Sequence, residues 1–143
     1  MSEYVRFNYR QLDPNITGAA GVILPGSPDT HLAASLKGGA AIVTQDPDDR
    51  VKLSAVLGWV SNAGANLLRV SISRDAPSTE GGTLIFSTLD ATDPGGNIGT
   101  VSIVHVDAPG TAGVVNYFLE VSMDIGTGML AGPVTFIGEV IHP

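Results

Sequence analysis

The chain has 143 residues, with 18 Gly, 9 Pro, no Cys, and 7 Lys+Arg against 14 Asp+Glu, a formal net charge of −7. That length suits one domain able to bury a core without disulfides or metal, and the acidic balance excludes a nucleic-acid face, which needs basic residues to displace counterions. The absence of Cys removes thiol catalysis, thiolate zinc sites and disulfide scaffolds together, and a charged fraction of 15% is too low for a disordered tail.

The first seven residues carry an acid at Glu3 and no apolar run, so they do not read as a secretory signal. No apolar stretch approaches the ~18–20 residues that a membrane span requires. Residues 1–17 read instead as an extended N-terminal arm, and residues 18–143 as a single jelly-roll domain. Three of the eight aromatic residues, Tyr4, Phe7 and Tyr9, fall within the first nine positions. The first ten residues carry +1 through Arg6 and Arg10 against Glu3, while the rest of the chain carries −8. In an extended strand Tyr4 and Arg6 face one way, and Val5, Phe7 and Tyr9 the other. Tyr4, Val5, Arg6, Phe7, Tyr9 and Arg10 therefore make two readings available. One is the first strand of the domain itself; the other is an assembly arm that adds a strand to an acidic neighbour.

Two short strands are expected at Gly21–Leu24 and Ala40–Thr44. Between them Thr30–Lys37 is the one helical candidate, with a cap at Asp29 or Thr30 and a stop at Gly38-Gly39. From Val51 onward the pattern is period-two alternation. Val51, Leu53, Ala55, Leu57 and Trp59 share one face, and Leu68, Val70 and Ile72 alternate with Arg69, Ser71 and Ser73. Further strands are expected at Thr83–Thr88, Thr100–Val106, Val114–Met123 and Val134–Ile141. Turn chemistry separates them, as in Asp93-Pro94-Gly95-Gly96, Asp107-Ala108-Pro109-Gly110 and Gly126-Thr127-Gly128. A parallel sheet needs crossover helices that the chain lacks. About eight antiparallel strands with long connections predict an all-β jelly-roll sandwich, with an immunoglobulin-type sandwich second.

The catalytic inventory is small. His105 lies mid-strand with only Asp107 nearby, which does not make the His-x-His and Glu set of a metal-binding cupin. His142 is penultimate and suits an exposed or interface role. No Gly-x-Ser-x-Gly elbow occurs. Gly126-Thr127-Gly128 joins two strands with no helix behind it, so it lacks the helix N-terminus that a dinucleotide pyrophosphate uses. Asp46-Pro47-Asp48-Asp49 lacks the Gly alternation and distal Glu of a calcium loop and reads as a solvated turn. No cofactor, metal or catalytic residue is assigned, and the chain is expected not to be an enzyme.

In its second half the chain resembles a known family. The stretches Leu68-Arg69-Val70-Ser71-Ile72-Ser73-Arg74-Asp75, Thr83-Leu84-Ile85-Phe86, Tyr117-Phe118-Leu119-Glu120-Val121 and Gly132-Pro133-Val134-Thr135-Phe136 follow one another in that order. They resemble small Firmicutes spore-surface and exosporium-type proteins with a tumour-necrosis-factor/complement-like jelly roll. The resemblance implies a structural protein that trimerises and, in some members, builds spore appendage fibres. It also implies a spore or cell surface as the location. The chain has no collagen-like Gly-x-y tract.

The expected function is therefore a non-enzymatic structural protein whose partner is itself, as a homotrimer built further into a fibre or surface layer through its arm. Val134, Phe136 and Val140 occupy one face of the last strand; Ile137 and Ile141 occupy the other and are the candidate subunit interface. The competing class is a binding module, such as a lectin-like head or a phage fibre or virion domain.

Overall fold

A computed structural model of the chain describes residues 22–62, 64–92 and 98–143 in full, and residues 3–11 as strand backbone. Its strands in chain order are β1 (Glu3–Gln11), β2 (Val22–Ile23), β3 (His31–Leu36), β4 (Ile42–Thr44), β5 (Arg50–Ser61) and β6 (Leu67–Arg74). They continue with β7 (Thr83–Asp90), β8 (Ile98–Asp107), β9 (Gly113–Val115), β10 (Tyr117–Ile125) and β11 (Gly128–His142). Among the described residues the only helical turns are two 3-10 turns, Gly38–Ala40 and Ser78–Glu80.

Nine of the strands form two antiparallel layers. The front layer runs β1-β11-β5-β8, with β2 beside β11, and the back layer runs β3-β10-β6-β7. β4 and β9 form a separate two-stranded ribbon. The chain crosses between layers from β5 to β6, back from β7 to β8, and again from β10 to β11. This wrapping is the antiparallel jelly roll that the turn spacing predicts.

Alternation explains the core. On β5 the residues Val51, Leu53, Ala55, Leu57 and Trp59 all point inward and are buried. They meet Leu68, Val70 and Ile72 of β6 and Tyr117, Leu119 and Val121 of β10 across the sandwich, within one continuous cluster. The indole of Trp59 donates from Nε1 to Asp90 Oδ2 at 3.0 Å, so its one polar atom is satisfied inside the wall. β5 lies between β11 and β8 in the front layer, and β10 lies between β3 and β6 in the back layer.

Three sequence expectations are corrected. The helix at Thr30–Lys37 is strand β3, whose Leu36 pairs with Tyr117 and His31 with Val121. Pairing to the edge of β10 outweighs the helix preference of Leu and Ala in so short a segment. The strand expected over Val114–Met123 is interrupted at Asn116, whose carbonyl accepts the Asp75 N–H at 2.9 Å instead of a ladder bond. Asp49 is not solvated: it is buried, and its Oδ2 accepts the N–H groups of Gln45 at 2.9 Å and Asp46 at 3.2 Å.

Candidate assembly face

The two outer surfaces of the sandwich differ in chemistry, and the difference begins with which residues alternate against the core. On the back layer the outward positions of β6 and β10 are largely Ser and charged residues that bond one another. Arg69 grips Asp124 with two nitrogens, Nε to Oδ1 at 3.0 Å and Nη2 to Oδ2 at 2.6 Å, and donates from Nη1 to Ser87 Oγ at 2.9 Å. That pairing holds the Asp124 carboxyl below the usual carboxylate range and raises the guanidinium. Glu120 is buried in the same layer, accepting Ser73 Oγ–H and the Ser78 N–H, each at 2.9 Å. The polar atoms of this surface are spent on each other.

The front layer is different. Val134, Phe136 and Val140 of β11 point into the core and are buried, while Ile137 and Ile141 lie half-buried on the outer side. The ladder extends that outer side across the sheet. Ile137 stands opposite Ser54, which stands opposite Val104; Thr135 aligns with Val56 and Ser102; Met129 aligns with Val60 and Ile98. Ile98 is 79% exposed, Val104 57% and Val106 51%. The charges on these rows are Glu139 and Lys52, which stand directly opposite one another, with Arg50 beside Ile141. The back layer also exposes aliphatic residues on its outer side, Leu32, Leu84 and Leu89, but they stand beside Glu120, Ser73 and Arg69 rather than in adjoining rows.

β1 completes the front layer at the β11 edge. Its backbone runs antiparallel to β11, with Tyr4 opposite Ile141, Arg6 opposite Val140, Phe7 opposite Glu139, Tyr9 opposite Ile137 and Arg10 opposite Phe136. Val5 falls at the register shift between Tyr4 and Arg6. The segment read as an arm thus sits as an edge strand of its own domain, immediately beside Ile137 and Ile141. The stretch between β1 and β2, residues 12–21, and the turn expected at Asp93-Pro94-Gly95-Gly96 lie outside the described residues.

Sequence reading missed two buried polar anchors. Asp107 accepts Arg74 Nη1 at 2.8 Å on both oxygens and the Tyr117 hydroxyl at 2.7 Å on Oδ2. The other is Glu120. The signals were present as the Arg74-Asp75 strand end and the Asp107 turn, but nothing in one sequence says that they meet. Of the histidines, His105 packs its ring against Phe86 with centroids 5.2 Å apart. His142 Nδ1 lies 2.5 Å from Asp49 Oδ1. Among the described residues no three His, Asp or Glu side chains converge as a metal site, and no helix is long and apolar enough to cross a membrane.

No family model matches the chain, and no curated protein does. Solved structures do. A chain in the structure of the Gx strain of infectious bursal disease virus aligns over 96% of this chain and 39% of its own, at 12% identity and a TM-score of 0.53. One in the T13 particle of the same virus covers 96% of this chain and 35% of its own, at 13% identity and a TM-score of 0.54. The Eiger TNF of S. frugiperda aligns over 96% of this chain and 93% of its own, at 15% identity and a TM-score of 0.49. The chain spans less than two fifths of the viral chains that it matches. What it shares with the viral chains is the jelly-roll fold.

Proposed function

We propose that this chain is a non-enzymatic structural module that associates with copies of itself through the outer surface of its front layer, as a homotrimer. The observation that supports this reading is the contrast between the two surfaces. The back layer carries a polar network closed within the chain, with Leu32, Leu84 and Leu89 set among it, whereas the front layer is aliphatic over adjoining rows around Ile137, Ile141, Val56 and Val104. Packing Ile137 and Ile141 about a shared axis removes that surface from water, at about 25 cal/mol per Å² buried. Residues 1–17 then extend trimers into a fibre or surface layer when β1 leaves its own β11 and pairs with that of a neighbour. Such an exchange keeps the same backbone ladder and links separate copies. The resemblance favours a spore or cell surface as the setting. The second reading is a virion structural domain, favoured by the shared fold with chains of a viral particle.

Light scattering on the full chain tests the trimer. The wild type is expected at three times the monomer mass, or at a multiple of it, at micromolar concentration. Ile137→Lys, which places a charge on the axis and not in the core, is expected to stay folded and lose the three-fold association. A wild-type monomer, or an Ile137→Lys variant that stays trimeric, overturns the reading.

A further inference from the structure

β8 is the last strand of the front layer. It pairs with β5 on one side, and among the described residues no strand pairs with it on the other. Alternate N–H and C=O groups along this strand therefore point away from the sheet, which is the template that an added strand uses. Proteins ordinarily blunt such an edge with Lys, Pro, a bulge or short length. β8 does none of these: it has ten residues, contains no Lys, Arg, Glu or Pro, and runs against β5 without a register shift from Asp107 to Ile98. Its one acid, Asp107, is at the end of the strand and is already paired with Arg74. On a chain of net charge −7, a long edge free of unpaired charge is where two like-charged copies can approach.

We infer that β8 pairs antiparallel with β8 of a second copy across a two-fold axis at Ser102, fusing two front layers into one continuous sheet. The other long edge strand, β1, is a poorer occupant: it carries Glu3, Arg6 and Arg10, and β8 has no free charge to meet them. The two-fold register sets Ser102 opposite itself, Thr100 opposite Val104 and Ile98 opposite Val106, so apolar and β-branched residues meet on the outer surface. On the inner surface it sets His105 opposite Gly99, which has no side chain to crowd the ring. It overlaps residues 98–106 and leaves Asp107 beyond the pairing. An isologous contact of this kind is self-complementary and closes at two copies. β8 lies two strands from β11, about 10 Å across the sheet, so the contact is separate from a trimer axis at Ile137 and joins trimers side by side.

The lack of cysteine makes the test direct. Opposed residues of antiparallel strands stand about 4.5–5.5 Å apart at Cα, within the disulfide range. Full-length Ser102→Cys, oxidised in dilute solution, is expected to give a covalent dimer. Thr100→Cys and Val104→Cys are each four residues out of register with themselves and are expected to remain single chains alone, yet to cross-link to each other when mixed. The Ser102→Cys cross-link is expected to persist both in an Ile137→Lys background and after deletion of residues 1–12. Failure of Ser102→Cys to cross-link, or equal cross-linking by Thr100→Cys alone, overturns the inference. Loss of the cross-link on deleting residues 1–12 also overturns it, because the occupant of the edge is then β1.

Discussion

At the outer end of β8, Asp107 accepts three short hydrogen bonds, two from Arg74 and one from the Tyr117 hydroxyl, and so ties the front layer to β6 and β10 behind it. Burial, and then the hydrogen bond to Asp107, hold the Tyr117 proton far above the ordinary tyrosine range. Because the folded value is raised, the associated stability is complete below the unfolded value of about 10 and is lost as pH rises beyond it. The acid limb runs the other way. Asp49 is held below the usual carboxylate range, first by His142 and then by the Gln45 N–H, and Asp124 is held there by Arg69. Their contribution is present above the ordinary carboxylate value of about 4 and is lost as pH falls through the folded values. Urea midpoints measured across pH should therefore trace a plateau that falls on both sides. Tyr117→Phe should flatten the alkaline limb and cost about 1.5–3 kcal/mol at neutral pH, the range for a hydrogen bond to a charged group. An unchanged alkaline limb in that variant would show that Tyr117 is not its source.

Elements meet at positions where backbone geometry leaves no room for choice. β11 shifts register against β5 between Leu130 and Val134, and Gly58 stands opposite this bulge. A Cβ on Gly58 would lie 2.5 Å from the Ala131 carbonyl oxygen, which is backbone and cannot step aside. Gly58→Ala should destabilise by about 1–3 kcal/mol, read as a lower thermal midpoint with the β spectrum intact. Leu119, fully buried at the centre of β10, should cost about 2–5 kcal/mol on truncation to Ala, and a neutral result would remove it from the core. Such strands are legible in sequence because each buries one face: the inward set Val51 to Trp59 shows in the alternation alone. β3 was not legible. His-Leu-Ala-Ala-Ser-Leu has helix-compatible apolar spacing, and only the free edge of β10, more than eighty residues away in sequence, makes it a strand. The same limit hid Asp107 and Glu120, whose partners come from other strands. The apolar outer positions of β11 were legible, since both of its faces carry aliphatic residues. Their continuation onto Val56 and Val104 depends on register, which one sequence does not specify.

For the whole molecule the decisive strand is β1, which covers the edge of β11 from Thr135 to His142. β11 pairs with β5 from Gly128 through Ile141, and β2 covers its early residues at Met129 and Leu130. Its inward residues Val134, Phe136 and Val140 are seated in a core to which β5, β6 and β10 contribute independently. Removing residues 1–12 should therefore lower stability without unfolding the sandwich, and it should leave the outer positions of Ile137 and Ile141 in place. The edge of β11 from Thr135 to His142 is then open, and each copy has an acceptor but no strand to donate. If the β1 exchange is what strings trimers together, the truncated protein should keep its three-fold contact, with a mass of one trimer or a multiple of it by light scattering, and show no filaments in negative-stain images in which the full chain shows them. Contacts through β8 should survive, since they use the opposite edge of the sheet. A synthetic peptide of residues 1–12 should then bind the truncated trimer, with an affinity that falls as salt screens Arg6 and Arg10 from the acidic body. Filaments that persist without residues 1–12 would show that another surface connects the trimers. A truncated chain that cannot fold would show that β1 is an obligatory strand of its own sandwich.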